Sequence, residues 1–132
     1  MKINNSKYDA NGKLRNGFIK ECFKDGSLCF EGEFMNGEKT GEWRYYLKNG
    51  QLKAIGNYVN DKMVGKWKWY RENGKLMQTG AFTDNKKTGI WKRYHPNGEL
   101  YDEGEYIHDK KAGEWITYDA NGKLITSKKY KV

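Results

Sequence analysis

The sequence predicts an all-β protein, an elongated single-layer antiparallel sheet of tandem 24-residue β-hairpin repeats. The first observation behind this prediction is a constant period, because glycine recurs every 24 residues and tryptophan follows it two residues later. The second is an Asn-Gly pair between two aromatic-rich runs in each copy, which is a strong hairpin signal. Many fixed positions at one period indicate a repeat array. The two leading sets are Gly41, Gly65, Gly89 and Gly113, and Trp43, Trp67, Trp91 and Trp115.

Residues 65–82 show the repeating unit most clearly. Two apolar runs, 67–70 and 76–82, flank Asn73-Gly74, so the unit is predicted to be two strands joined by a turn. A second glycine and an aromatic residue two places after it complete each copy. These are Gly32 with Phe34, Gly56 with Tyr58, Gly80 with Phe82, and Gly104 with Tyr106.

The chain is predicted to be one continuous array over residues 1–132, with no linker. Residues 8–14 match 118–124, so a half-repeat at 1–16 opens the array as a cap. The last copy has Lys128 in place of the second glycine, and lysines on an outer strand discourage edge-to-edge pairing. Four full repeats are predicted at 17–40, 41–64, 65–88 and 89–112, with a capping repeat at 113–132.

The first full copy departs from the pattern. Ile19 stands at the tryptophan position and Cys22 at the following tyrosine position. We therefore expect the sheet face to be less well packed in this copy.

Two strand registers are compatible with the sequence. A two-residue Asn-Gly turn pairs Trp67 with Gly80 and Phe82 with Gly65, so that each ring covers bare backbone on its neighbour. Pro96 favours a three-residue loop with a glycine bulge in its copy, because it lacks an amide N–H. That bulged register places Tyr94 opposite a leucine and needs a second irregularity to restore the tryptophan and glycine pairing.

The cysteines depend on the same choice of register. Cys22 lies directly opposite Cys29 with the two-residue turn but not with the bulged one. A cross-strand disulfide is disfavoured in a reducing cytosol, and we expect two small, half-buried apolar side chains.

Charge suggests an anionic partner. Lys and Arg number 25 against 17 acidic residues, which gives a net charge of +8. Lysines in the second turns are predicted to line one border of the sheet, where they could contact a polyanion or anionic lipid headgroups, although repeated solvated turns explain them without any ligand. Nucleic acid is a less favoured partner, since basic and aromatic residues form no recognised RNA-binding motif. The candidate polyanion-binding residues are Lys39, Lys62, Lys86, Lys87, Lys110 and Lys111.

The aromatic positions are predicted to hold the sheet together, but a single layer leaves some rings partly open to solvent. Exposed apolar surface usually marks a binding site. Trp69 is the best single candidate, because it lies outside the repeated positions and packing requires it least. The candidate partner-binding residues are Trp67, Trp69, Tyr70, Trp91, Tyr94 and Tyr101.

No feature of the sequence predicts catalysis, a metal site or a cofactor. His95 and His108 lie in turn segments, and no Gly-x-Ser-x-Gly, P-loop or Cys-x-x-Cys motif is present. We therefore expect a protein that is not an enzyme. Neither a secretory signal nor an apolar run long enough for a membrane helix is found, so a cytoplasmic location is expected.

The pattern Gly-x-Trp-x-x-Tyr, Asn-Gly-x-Leu and Gly-x-Tyr/Phe resembles MORN (membrane occupation and recognition nexus) repeats. Over residues 17–132 it is most similar to the variant MORN repeats of the bacterial YwqK-type antitoxin family. The resemblance implies a sheet of hairpins and a non-enzymatic, protein-binding role as an antitoxin or immunity protein that neutralises a cognate toxin. The alternatives are a peripheral adaptor on anionic lipid or nucleic acid, and a self-assembling scaffold. A monomer is favoured.

Overall fold

The computed structural model describes residues 7–131, and these form one antiparallel sheet of ten strands in sequence order. The predicted fold class is therefore confirmed. The first six residues of the expected N-terminal cap and the last residue of the chain lie outside the described residues. The strands are β1 Gly17–Cys22, β2 Leu28–Met35, β3 Glu38–Tyr46, β4 Leu52–Val59, β5 Lys62–Tyr70, β6 Leu76–Thr83, β7 Lys86–Tyr94, β8 Leu100–Ile107, β9 Lys110–Tyr118 and β10 Leu124–Tyr130.

The first turn of each repeat, which contains the Asn-Gly pair, is a three-residue loop. The amide of Arg71 donates to the carbonyl of Lys75 over 2.8 Å, and the amide of Gly74 donates back to Arg71 over 2.8 Å. Gly74 has a φ of 85°, so a glycine in the left-handed region closes the loop. Pro96 occupies the first position of the equivalent loop, where no backbone N–H is needed as a donor. Of the two-residue turn and the three-residue loop that the sequence left open, the three-residue loop is found in every copy.

A second irregularity follows each loop, as the bulged register requires. Leu100 pairs with Tyr94 and Asp102 pairs with Arg93, so Tyr101 has no cross-strand partner of its own. This extra residue restores the pairing of the tryptophan with the second glycine further along the hairpin. The same shift occurs in all five hairpins.

The bulge separates the two cysteines. Cys22 pairs with Leu28, and Cys29 occupies the unpaired bulge position. Both cysteines are free and half-buried. Burial raises the pKa of the Cys29 thiol above its ordinary value.

The second turns, which join one hairpin to the next, are the two-residue turns of this fold. Asn60 and Asp61 have φ values of 49° and 69°, which is the left-handed pair of a type I′ hairpin turn. Asp61 is held there from both sides, since its side chain accepts from the Lys39 amide over 2.9 Å and its own amide donates to the Lys39 carbonyl over 3.0 Å. Each such contact links the turn of one repeat to the preceding repeat.

The predicted pairing of Trp67 with Gly80 and of Phe82 with Gly65 is confirmed, but the predicted position of the rings is wrong. The indole of Trp67 lies over Gly56, on the strand at its other side, where an added Cβ would overlap the ring. Gly56 interrupts the pairing of β4 with β5, which brings bare backbone under the indole. A Cβ at Gly65 would meet nothing within 4 Å. Its φ of 67° shows that glycine is needed here for the left-handed backbone conformation and not for space under a ring.

The core is a row of four tryptophans on one face of the sheet. Each indole N–H donates to a backbone carbonyl, as Trp67 does to Asn57 over 3.2 Å and Trp91 to Ala81 over 3.1 Å. The polar atom of each buried ring is thereby satisfied. The exposed fractions are 0% for Trp43, 1% for Trp67, 3% for Trp91 and 6% for Trp115.

The packing of the first copy comes from β2. Phe30 and Phe34 of β2 are buried against Trp43, and Ile19 packs onto the same cluster. The guanidinium of Arg15 lies 5.7 Å from the centre of the Phe34 ring. The expectation of weak packing therefore holds for β1, in which no residue is buried, but not for β2.

Candidate binding surface

A continuous ladder of aromatic rings runs across the sheet on the side that carries the tryptophans, which we call the aromatic face. Successive rings meet edge to face, with centroids 5.0 to 6.3 Å apart and interplanar angles of 79° to 88°. This geometry is the favourable one for aromatic pairs. In order, the rings are Phe34, Trp43, Tyr58, Trp67, Phe82, Trp91, Tyr106 and Trp115.

The position two residues after each tryptophan, which we call the variable position, also lies on the aromatic face. Trp69 occupies it in the third repeat, with its ring 5.9 Å from Trp67 and 5.6 Å from Trp91. It is half-buried, so part of its ring is open to solvent. The other occupants of the variable position in this series are Tyr45, Arg93 and Thr117.

A polar cluster crosses the ladder at the second repeat. The hydroxyls of Tyr45 and Tyr58 are 2.8 Å apart, and the Lys39 ammonium lies 3.5 Å from the Tyr45 hydroxyl. Burial raises the pKa of both tyrosines above their ordinary value, and the hydrogen bond to Tyr58 raises the pKa of Tyr45 further. Burial lowers the pKa of Lys39, against the attraction of Asp61.

Three lysines fold over the rings of the aromatic face. Lys87 lies 5.0 Å from the centre of the Trp91 ring and 4.9 Å from that of Tyr106. Lys111 lies 4.6 Å from the Trp115 ring, and Lys39 takes the same place in the first full repeat, 5.2 Å from the Trp43 ring. These are cation–π distances. The second repeat has Met63 at this place.

A cleft of about 190 Å³ opens on the aromatic face at the fourth repeat. Arg93 stands at the variable position and binds Asp102 through two nitrogens, with Nε to Oδ1 at 3.0 Å and Nη2 to Oδ2 at 2.6 Å. Asp102 is 4% exposed, whereas half of the Arg93 side chain is exposed. The paired carboxylate raises the pKa of Arg93. Lining the cleft are Gln78, Lys87, Trp91, Arg93, Asp102, Tyr106, Lys111 and Trp115.

Comparison with known proteins identifies the repeats. A family model described as MORN repeat variant matches residues 39–60, 63–84, 87–108 and 111–131. The chain belongs to the MORN repeat variant family. No curated protein matches the sequence. Among solved structures, the crystal structure of a GtfA/B complex bound to UDP and GlcNAc is similar, with 17% identity and a TM-score of 0.39 over 68% of this chain and 23% of that chain.

The MORN scaffold divides the aromatic candidates predicted from sequence. Trp67 and Trp91 are buried, so they support the surface and do not present a ring to a partner, which corrects their assignment as contact residues. Trp69 presents part of its ring on the aromatic face. Tyr70 and Tyr94 follow Trp69 and Arg93 directly, and therefore lie on the opposite face by strand alternation.

Tyr101 lies at the edge of the cleft region. Its ring centroid is 4.9 Å from that of His95, and the Arg93 guanidinium lies 4.9 Å from the Tyr101 ring. It joins the aromatic face because the bulge carries it there, next to the variable position. Of the six aromatic candidates, Trp69 and Tyr101 are thus the two half-buried rings on the aromatic face.

The lysine candidates of the MORN array also fall into two groups. Lys62, Lys86 and Lys110 begin β5, β7 and β9 and are exposed at the turn border, as predicted. Lys39, Lys87 and Lys111 are half-buried over the aromatic rings. Sequence reasoning placed all six on one border and missed this division, although adjacent residues of a strand point to opposite faces.

His95 flanks a first turn, and His108 lies in a second turn. His95 Nε2 is 2.8 Å from the carbonyl oxygen of Tyr118, and Arg71 donates to the Tyr94 carbonyl over 2.9 Å at the equivalent place in the preceding MORN repeat. His95 therefore links neighbouring repeats, a role that the sequence reading did not assign. His108 has a φ of 49° in a type I′ turn. Within residues 7–131, no three His, Cys, Asp or Glu side chains are grouped to hold a metal ion.

The described strands and turns include no helix with the length and apolar character needed to cross a bilayer.

Proposed function

We propose that this MORN-variant chain is a non-enzymatic binding module of the antitoxin or immunity type, which holds an acidic surface of a cognate toxin against its aromatic face. The observation that carries the proposal is the combination of half-buried rings and half-buried lysines on one face of a single-layer sheet. Trp69 and Lys87 exemplify it. Such a face offers large, rigid contact area beside fixed positive charge.

Rigidity supports a binding role for this surface. Trp69 is clamped between Trp67 and Trp91, so little side-chain freedom is left to lose when a partner covers it. The lysines over the rings are likewise restrained. Association is less costly in conformational entropy when contact side chains are already ordered.

Charge supports an acidic partner. The chain carries a net charge of +8, and Lys39, Lys87, Lys111 and Arg93 lie on the aromatic face itself. Positive potential on a contact surface selects a negative partner and speeds encounter.

The test is a toxicity assay with genes adjacent to this one. Each neighbouring gene product is expressed with and without the chain, and we expect the parent chain to relieve the growth defect caused by one of them. Binding of the purified pair is measured by isothermal titration calorimetry. Absence of relief by the parent chain for every neighbour would overturn the antitoxin assignment.

Two matched variants locate the contact. Trp69→Ala removes a ring from the aromatic face and is expected to weaken binding by about tenfold to a hundredfold, as for a buried aromatic anchor at an interface. Tyr70→Ala removes a half-buried ring from the opposite face and is expected to bind like the parent. Equal losses in both variants would exclude the aromatic face as the contact.

An anionic lipid surface is the second candidate, and the exposed border lysines Lys62, Lys86 and Lys110 favour it. Successive second turns are two strands apart, so these charges recur at roughly 10 Å intervals. Vesicle co-sedimentation with phosphatidylserine against salt tests this candidate. Binding that weakens steeply with salt and is lost in the triple Lys→Gln variant of the border would support it, and no binding at low salt would reject it.

A further inference from the structure

The fourth repeat departs from its neighbours at two facing positions. Trp69 lies between Ala54 and Gln78, whereas Arg93 lies between Gln78 and Asp102. An ion pair thereby takes the place of a packed ring, and the cleft of about 190 Å³ lies beside it. The fold does not require this change, because the second and third repeats form the same backbone with rings at the variable position.

The cleft carries an excess of positive charge. Arg93 is neutralised by Asp102, but the ammonium groups of Lys87 and Lys111 lie over aromatic rings and form no ion pair among the described residues. Their half-burial over the rings has already removed part of their water shell. Two partly desolvated ammonium groups and a half-exposed guanidinium therefore face one small space.

We propose that this cleft binds the side-chain carboxylate of a glutamate in an acidic peptide segment. The inference rests on the proposed function only in the identity of the partner that supplies this segment. The carboxylate is placed to accept hydrogen bonds from Lys87, Lys111 and the exposed part of the Arg93 guanidinium. The methylene groups of the glutamate stem pack against the half-buried ring of Tyr106. Charge-assisted hydrogen bonds of this kind are the stronger ones in proteins.

The shape of the lining favours a glutamate side chain over inorganic phosphate. Charge does not select between them, because Asp102 is neutralised by Arg93 and both anions are attracted to Lys87 and Lys111. The half-buried ring of Tyr106 beside these cations suits an apolar stem, which inorganic phosphate lacks.

Titration followed by NMR of the tryptophan indole N–H groups tests the proposal. The probes are a capped peptide of four glutamates, its glutamine counterpart, sodium acetate and inorganic phosphate. We expect the glutamate peptide to shift the Trp91 and Trp115 signals saturably, with little change at Trp43. The glutamine peptide is expected to cause no such shift.

Three variants that the array itself suggests complete the design. Lys87→Met copies the second repeat, which has Met63 at this place, and is expected to weaken peptide binding by about tenfold. Lys39→Met removes the same cation–π contact away from the cleft and is expected to leave binding unchanged. The double variant Arg93→Trp with Asp102→Ala places a ring between Gln78 and an alanine, as Trp69 lies between Gln78 and Ala54. The ring fills the cleft, so this variant is expected to abolish binding.

The outcomes separate this inference from the proposed function. Unchanged peptide binding in the double variant, equal losses in Lys87→Met and Lys39→Met, or tighter binding of phosphate or acetate than of the peptide would each overturn the inference. Circular dichroism and thermal melting establish that the variants fold. Saturable peptide binding without relief of toxicity would leave the cleft assignment standing and reject only the antitoxin role.

Discussion

The indole of Trp67 lies directly over Gly56, so that the backbone of one hairpin is covered by a ring from the next. The same relationship joins Gly32 to Trp43, Gly80 to Trp91 and Gly104 to Trp115. The glycine and tryptophan positions of this array are therefore coupled between repeats and not within them. Cohesion between neighbouring hairpins depends on this overlap.

Gly56→Ala is expected to lower the free energy of unfolding by about 3 kcal/mol, because the new methyl group overlaps a ring that cannot move in a filled core. Gly65→Ala has open space for the methyl group, but its backbone is left-handed, so a loss of about 1 kcal/mol is expected. Urea denaturation monitored by tryptophan fluorescence measures both. A larger loss for Gly65→Ala would contradict the assigned roles.

Asp61→Ala is expected to destabilise the protein by about 1 to 2 kcal/mol, since it removes the acceptor for the Lys39 amide and places alanine at a φ of 69°. Asp61→Asn is the matched control, because Asn85 already accepts from the Met63 amide over 2.7 Å at the equivalent turn. Thermal unfolding of the two variants checks the difference. An equal loss in Asp61→Asn would mean that the side-chain acceptor is unimportant.

Glu72→Pro is expected to stabilise the protein by about 0.4 to 1 kcal/mol, because proline restricts the unfolded chain at a place where the fourth repeat already has Pro96. The three-residue loop takes no backbone hydrogen bond from the Glu72 amide. Pro96→Ala is expected to cost a similar amount. Chemical denaturation of both variants is the measurement, and destabilisation by Glu72→Pro would show that the loops differ.

Alkaline pH is expected to destabilise the fold. The folded-state pKa of Tyr45 and Tyr58 is raised above the ordinary value of 10.0, so the unfolded chain releases these protons first. Their contribution to stability is complete below about pH 10 and is lost as the pH rises through the folded-state pKa. Lys39 acts in the opposite sense, since its folded-state pKa is lowered below 10.5 and the cost of burying its charge is relieved as the pH rises.

Tyr45→Phe is therefore expected to flatten the loss of stability above about pH 10, and Lys39→Met is expected to steepen it. Urea midpoints measured at pH 8 to 11 provide the comparison. Parallel curves for the parent and both variants would show that this cluster does not govern the alkaline response.

The period of 24 residues was sufficient to predict the strands, their order and the pairing of Trp67 with Gly80. Loop type could not be predicted in the same way, because Asn73-Gly74 suits a two-residue turn as well as the three-residue loop that the structure has. The two-residue turns occur instead at pairs such as Asn60-Asp61 and Asp84-Asn85. In these pairs Asn and Asp tolerate the left-handed backbone, and a side-chain contact to the preceding repeat stabilises it further.

Sequence reasoning could also not predict which of the two neighbouring strands each indole covers. Trp67 has a glycine on either side, Gly56 and Gly80, and only the interruption of pairing at Gly56 decides between them. The cleft had a visible signal that was not used. Arg93 and Asp102 break the aromatic series at two facing positions of one repeat, and such departures carry more information about binding than the fixed positions do.

The hydrogen bonds that join the second turns to the preceding hairpin span 22 residues at three successive junctions, from Lys39 to Asp61, from Met63 to Asn85 and from Lys87 to Asp109. These three junctions therefore present the same connection to their neighbours. A gene that loses or duplicates one 72-base unit in frame would rejoin matching connectors, so the width of the sheet can change in whole modules during evolution or in protein engineering.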